Sequence, residues 1–392
     1  MSQKQPKSSN HERYTFFVTC APGVEPLLHR ELDRLKLGRV ERQHGGARFE
    51  GTMSDARRAN LWLRTAVRVL LRLERFHAQT PEELYEKVHG IEWERWLRPE
   101  GRLIVDAQSR DSELNHTRFI EQKTKDAIVD RFRGQSGVRP SVDKEDFDLR
   151  VHVHVYRDRV TLSIDTSGDS LHKRGWRLHQ GRAPLSETLA SVCLLEADWD
   201  MRSPLLDPFC GSGTIAIEGA LLALRMAPGL CREQFGFERW LDHDAKAWEA
   251  EKADALSKQL PKAKRRILGF DVDPDRVAEA RENAASAGVD DLCEFEVADA
   301  RDFAPRPGWN ASIVTNPPYG ERIGGDPEVL EALYEEFADQ LLEHCGGYRL
   351  ALLTLAQGPG RALSRKIRIQ ERLRMANGAL DAELLMAEIP RP

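Results

Sequence analysis

Apolar and polar positions alternate strictly in "LRVHVHVYR", where Val151, Val153 and Val155 are interleaved with His152, His154 and Tyr156. A period of two is the mark of a strand with one buried face. The same pattern predicts strands at "YTFFVT", "ARFEG", "RVLLRLERF", "RLIVDAQS" and "RVTLSIDT". Between them, "VEPLLHRELDRLK" and "DARRANLWLR" carry helical periodicity, as does a long basic helix near Asn115 to Arg133 with an apolar stripe of Phe119, Ile128 and Phe132. The first half therefore reads as small α+β layers.

From about Ser167 to Pro184 the chain becomes rich in Gly, Ser and cations and poor in apolar residues, which marks a domain boundary. Beyond it the period lengthens and shortens in turn. Helix "LSETLASVCLLEA", strand "PLLD", loop "PFCGSG" and helix "TIAIEGALLAL" are followed by an irregular stretch to about Lys264. Strand "RRILGFDVD", helix "PDRVAEARENAASAG", strands "CEFEVAD" and "ASIVTN", helix "PEVLEALYEEFADQLLEHC" and strand "YRLALLTL" come next. Two last strands meet across Asn377-Gly378, a strong hairpin signal. Alternating βα units imply a mostly parallel α/β sheet with an antiparallel terminal edge.

Three function classes are disfavoured by composition. The most apolar candidate, "LWLRTAVRVLLRL", is interrupted by Arg64, Arg68 and Arg72, so no membrane helix is expected. The polar start "MSQKQPKSSN" reads as a disordered tail and not a signal peptide, which points to the cytoplasm. Six scattered cysteines without C-x-x-C spacing argue against a zinc site or a disulfide framework, and no metal is expected. The net charge of −5 hides an asymmetry: residues 1–183 carry 34 Lys+Arg against 27 Asp+Glu, and the remainder 24 against 36. A positive first half suits a polyanion. Arg118, Lys123 and Lys125 on the basic helix, with Lys173 and Arg174 in the boundary stretch, are the candidate phosphate-gripping cations; pairing with local acids is the competing explanation for the helix.

The chemistry-bearing residues cluster at strand ends. In "LLDPFCGSGTIAIEGA", Gly211 and Gly213 allow close backbone approach ahead of a helix N-terminus at Thr214. A dinucleotide fingerprint would want an acid about 20 residues on. The next strand ends instead at Asp271, 58 residues beyond Gly213. Asp207, followed by Pro208, would repel a pyrophosphate but suits a ligand with an amino group and a sulfonium, namely S-adenosylmethionine. Asp271, with Val272 beside it, is placed for the ribose hydroxyls, and Asp299, followed by Ala300, for the adenine amine. Each acid singly could equally cap a helix or turn. The fourth strand end carries "TNPPYGER". Two successive prolines stiffen this loop. It would aim the Asn316 side-chain oxygen and the Pro317 carbonyl at a planar NH₂ group, with Pro318 fixing the loop and the Tyr319 ring free to stack on a base.

"DPFCGSGT", "GFDVDP", "VADA" and "NPPYGER" resemble the successive motifs of class I S-adenosylmethionine-dependent amino-methyltransferases. "FFVTCAPGVEPLLHREL", "HTRFIEQKTKDAIVDRFR" and "LSIDTSGDSLHKRGWR" resemble the ferredoxin-like and THUMP regions of RNA guanine-N2 methyltransferases. The resemblance runs from about Tyr14 to the end and includes "APGLCREQFGFERW". It implies a tail at 1–13, a ferredoxin-like domain at 14–66, a THUMP domain at 67–168, a linker at 169–186 and a Rossmann-like methyltransferase domain at 187–392. Some members carry a second methyltransferase behind the first; this sequence shows the motifs of one, so a second activity is not implied. The implied reaction is methylation of guanine N2 in RNA, most directly 23S rRNA. Alternatives are tRNA as substrate, a DNA adenine or cytosine or protein glutamine methyltransferase, a nicotinamide oxidoreductase, and a non-catalytic RNA-binding factor.

Overall fold

The computed structural model describes residues 12–179, 185–261, 266–319 and 326–391. The tail expected at 1–13 lies almost wholly outside them, as do Gly320, Glu321 and Arg322 of the proline loop.

The first half builds one continuous sheet of eight strands: β1 (Tyr14–Thr19), β2 (Val40–Gln43), β3 (Gly46–Gly51), β4 (Arg68–His77), β5 (Arg102–Arg110), β6 (Ser141–Val142), β7 (Leu149–Tyr156) and β8 (Arg159–Asp165), ordered β2-β3-β1-β4-β8-β7-β5-β6. Helices α1 (Glu25–Arg34), α2 (Met53–Trp62), α3 (Pro81–His89) and α4 (Thr117–Ser136) cover one face. The period-two reading holds on β7, where the three valines are buried and the intervening side chains are not. Strand β4 pairs with β1 on one side and β8 on the other, so the boundary expected at residues 66 and 67 falls at the entrance to a strand that both layers share. On α4, Ile128 and Phe132 are buried, but Phe119 is 44% exposed and does not extend the stripe.

The second half is a seven-stranded sheet of β9 (Leu205–Asp207), β10 (Ile267–Asp271), β11 (Cys293–Val297), β12 (Ser312–Thr315), β13 (Arg349–Leu355), β14 (Glu371–Asn377) and β15 (Leu380–Glu388), ordered β11-β10-β9-β12-β13-β15-β14. Five strands pair in parallel, and β15 runs antiparallel between β13 and β14. The order reverses direction at β9, so the crevice between the carboxyl ends of β9 and β12 is the switch point where open α/β sheets take ligands. Helices α5 (Glu187–Glu196), α6 (Thr214–Ala223), α7 (Ala245–Ser257), α8 (Pro274–Ser286), α9 (Pro327–His344) and α10 (Gly360–Lys366) complete the domain.

Two segments depart from the sequence reading. The stretch expected to be irregular up to Lys264 contains α7, capped by Asp244 and weakly periodic because only Trp248 and Ala255 are buried. Helix α7 braces the halves: Arg57 of α2 makes a bidentate pair with Glu251, at 3.0 and 2.9 Å. The first part of the stretch taken as a linker is packed, with Leu171, Arg174 and Trp176 all about 1% exposed. Arg232, in the segment before α7, donates to the carbonyls of Ser167, Asp169, Ser170 and Lys173 and locks that stretch down.

Candidate active site

The glycine loop joins β9 to α6. Gly211 sits at φ +51° with open space where a Cβ would be, and Gly213 at φ +83° with a Cβ position only 3.0 Å from Ala280 and Phe295. The first glycine thus leaves room for a ligand, and the second closes the helix onto α8 and β11. Asp271 holds the loop from the neighbouring strand, its Oδ2 accepting from the Gly211 N–H at 2.9 Å while Oδ1 accepts from Asp273. Beside it Val272 is 65% exposed, an apolar side chain facing solvent next to an acid. Pro208 is buried under the loop.

Asp207 is the acid expected to meet the cationic groups of the ligand. It is 1% exposed, because Thr315 on β12 donates its hydroxyl to Oδ1 at 2.6 Å and ties the two switch-point strands together. Burial pushes its carboxyl up to about 7; the Thr315 hydroxyl and the Phe209 N–H oppose that, and the charge of Asp271 adds to it. Cys210 in the same loop is buried, and burial, with Asp207 and Asp271 nearby, holds it as a thiol.

Asp299 follows β11, next to Ala298, whose N–H donates to the Asp271 carbonyl. Its carboxylate caps the turn at Ala300–Asp302 and is gripped by Arg301 through contacts of 2.5 to 3.0 Å, which holds its pKa below the usual range. The capping alternative is what the fold shows here. Ala300 is buried against Leu206 in the core.

The proline loop leaves β12 with an orphan. Asn316 is half-buried, and its Oδ1 is buried with no hydrogen-bond partner among the described residues. Buried amide oxygens are rarely left unpaired, since such a group costs about 1–3 kcal/mol. Pro317 is buried, and the Pro318 carbonyl accepts from Tyr334 at 3.4 Å. Tyr319 is not the free ring the sequence suggested: it is 8% exposed, and Asn377, at the end of β14, donates to its hydroxyl at 2.9 Å.

The largest surprise is Arg177, which sequence reading left inside a linker. Its guanidinium bonds Glu187 at 2.8 Å, Ser212 at 3.0 Å, Thr214 at 2.9 Å and the Leu185 carbonyl at 3.0 Å, clamping the glycine loop from behind. The signal was Trp176, since a tryptophan in a polar stretch has to be buried somewhere. Arg174, expected on an RNA surface, is also interior. It meets Glu218 of α6 at 3.4 Å and donates to the carbonyls of Leu171 and Arg64, because Glu218 is fully buried and needs a cation. Lys173 is exposed and pairs with Asp169, at 3.4 Å. On α4, Lys123 lies toward Glu82 and Tyr85 of α3, and Lys125 pairs with Asp126; Arg118 is exposed.

Comparison with known proteins agrees with this architecture. A family described as the RMKL-like methyltransferase domain matches residues 174–381, a THUMP domain residues 78–165 and an RlmL ferredoxin-like domain residues 15–70. The chain is 41% identical over 387 residues to a ribosomal RNA large subunit methyltransferase K/L of Syntrophotalea carbinolica, and 43% identical over 384 residues to that of Methylococcus capsulatus. Both alignments cover 95% of this chain but only 53% and 51% of those proteins, so the chain spans about half the length of the curated relatives it matches. Among solved structures, SMU.472 complexed with SAH superposes with a TM-score of 0.87 at 29% identity, covering 97% of this chain and 99% of that one. A predicted N6-adenine-specific DNA methylase from Listeria monocytogenes superposes with a TM-score of 0.85 at 31% identity, covering 97% of both chains. With a matched domain spanning more than half its length, the chain belongs to the RMKL-like methyltransferase family, with ferredoxin-like and THUMP domains ahead of the catalytic one.

Proposed function

We propose that this chain transfers a methyl group from S-adenosylmethionine to the exocyclic N2 amine of a guanine in RNA, with large-subunit rRNA as the substrate and the cytoplasm as its place of action. The observation that carries the reading is the buried Oδ1 of Asn316 at the end of β12, which has no partner among the described residues. An acceptor held without a donor is prepared for one that arrives with the substrate, and an aromatic NH₂ group offers two.

The crevice fits the cofactor. Gly211 leaves room, the N-terminus of α6 presents backbone N–H groups, Asp271 offers a carboxylate to vicinal hydroxyls, and exposed Val272 offers an apolar surface to a flat base. Bound there, S-adenosylmethionine supplies an electrophilic methyl group on a positively charged sulfur. Asp207 and Asp299 act from behind, the first as a strut to β12 with a charge that favours a cationic ligand, the second as the cap of the β11 turn.

At the base, Asn316 Oδ1 and the Pro317 carbonyl would each accept a hydrogen bond from one of the two amine N–H groups, and the one proton lost on methylation would pass to solvent. The nitrogen lone pair, otherwise spread into the ring, is then localised and directed at the methyl group, and fixing that geometry is worth about 7–11 kcal/mol of barrier. Pro317 and Pro318 supply the stiffness, and the buried Tyr319 anchors the loop through Asn377. A paired guanine would have to be flipped out of its helix first.

Guanine and rRNA rest on the THUMP and ferredoxin-like domains and on relatives named for large-subunit rRNA. The name of the Listeria protein favours adenine in DNA as the second reading. Incubation with methyl-labelled cofactor and protein-free 23S rRNA, tRNA or DNA separates them. Label recovered as N2-methylguanosine from rRNA is expected; N6-methyladenosine overturns the base, and label confined to tRNA overturns the substrate.

A further inference from the structure

Among the described residues no α-helix lies over the face of the eight-stranded sheet opposite α1 to α4, and the charges on that face are unevenly placed. Two neighbouring rows cross β4, β8, β7 and β5 at the end near the β7–β8 turn. In one, Arg75 and His154 flank β8; in the next, His77 pairs with Arg159, Arg159 with Tyr156 and Tyr156 with Arg110. Neither row contains an acidic residue. Arg75, Arg157 and Arg159 make no ion pair among the described residues, whereas Arg110 is held by Asp111 at 3.5 Å. The Tyr156 ring is 39% exposed, with the Arg157 guanidinium 5.1 Å from its centre.

Beside these rows lies a depression of about 380 Å³ lined by Arg48, Arg72 and Arg75 together with Glu41 and Glu74. Glu41 is taken by Arg48, at 2.9 Å. Arg72 keeps a buried Nε with no hydrogen-bond partner among the described residues, and burial, then the charges of Arg75 and Arg48, pull its pKa down to about 10. Arg48 is neutralised by Glu41 and Glu50, so Arg72 and Arg75 form the positive side of the depression. The contrast with α4 is sharp, because there Lys123, Lys125, Arg131 and Arg133 each have a carboxylate partner on the same surface.

We propose that the open face of β4, β8, β7 and β5, and not helix α4, is the platform that grips RNA, with arginines on the phosphates and Tyr156 beneath an unpaired base. The inference rests on the RNA reading above and names the surface that serves it. Sheet faces that combine cations with an exposed ring suit single-stranded RNA, whose bases can stack. The catalytic domain joins the opposite end of the sheet, where the Phe237 N–H donates to the Thr166 carbonyl and Arg239 pairs with Asp146. An eight-residue strand is about 25 Å long, so the grip lies well away from the reacting base and demands an extended substrate.

Full-length protein with Arg75→Ala and Arg159→Ala together, with Tyr156→Ala, and with Arg118→Ala and Lys125→Ala together is titrated with a 23S rRNA transcript over a range of salt. Cofactor affinity serves as the folding control. The sheet pair should bind about tenfold or more weakly, with a log–log salt slope shallower by about 1.5. Tyr156→Ala should weaken binding about fivefold or more without changing the slope. The α4 pair should change neither by more than about twofold. If the α4 pair shows the loss and the sheet pair does not, the surface is wrong. If the unaltered protein binds rRNA without salt dependence, the RNA reading falls and takes this inference with it.

Discussion

Asn377 donates to the hydroxyl of Tyr319 at 2.9 Å, so the terminal hairpin holds the loop that carries Asn316. The hairpin is in turn held by the first domain. The Ala376 N–H donates to the Pro22 carbonyl at 3.0 Å, and Gly23, at φ +94°, lies so close that a Cβ would come within 2.2 Å of the Arg374 carbonyl oxygen. A path of contacts therefore runs from the ferredoxin-like domain to the proline loop. Asn377→Ala should lower kcat about tenfold while cofactor affinity stays within about twofold. Tyr319→Phe removes the same bond, so the double variant should lose no more than the worse single one. Additive losses would show that the two residues act separately.

Asp207 predicts a pH dependence. Its folded pKa is raised to about 7 from an ordinary 3.8. The raised acid favours the folded, cofactor-free state below the unfolded value, and that contribution is lost as pH climbs from about 4 through about 7. A cationic ligand near β9 favours the ionised form, so cofactor affinity should fall as pH is lowered from 8 to 6. Asp207→Asn should flatten that fall, as calorimetric titration at several pH values would show. An unchanged slope in the variant would place the titrating group elsewhere.

Arg174 should matter for folding and not for RNA. With Glu218 fully buried between Arg174, Ser191 and the more distant Arg64, removing one partner strands a carboxylate. Arg174→Met should cost about 3–5 kcal/mol in denaturant unfolding. An unchanged midpoint combined with weaker rRNA binding would return Arg174 to the RNA surface.

Much of this was legible because it is local. Alternating valines on β7, the glycine turn before Thr214 and two prolines after β12 are patterns that the backbone must obey wherever the chain folds. What escaped depended on partners far along the chain. Nothing near Arg174 announces Glu218, 44 residues on, and nothing near Tyr319 announces Asn377. A cation in a polar stretch looks solvated until a buried acid claims it. Helix α7 escaped because it buries just two side chains and so shows almost no period, and Phe119 fitted a stripe that the sheet does not reach.

The central claim is that the orphan oxygen of Asn316 receives the target amine, and single-turnover methyl transfer to 23S rRNA by Asn316→Ala, with cofactor affinity measured alongside, tests it most directly. The predicted result is a loss of about 100-fold or more in the transfer rate with cofactor binding within a few-fold, because a hydrogen bond made to the reacting group is gone and the crevice is intact. Transfer at the normal rate by that variant would contradict the account.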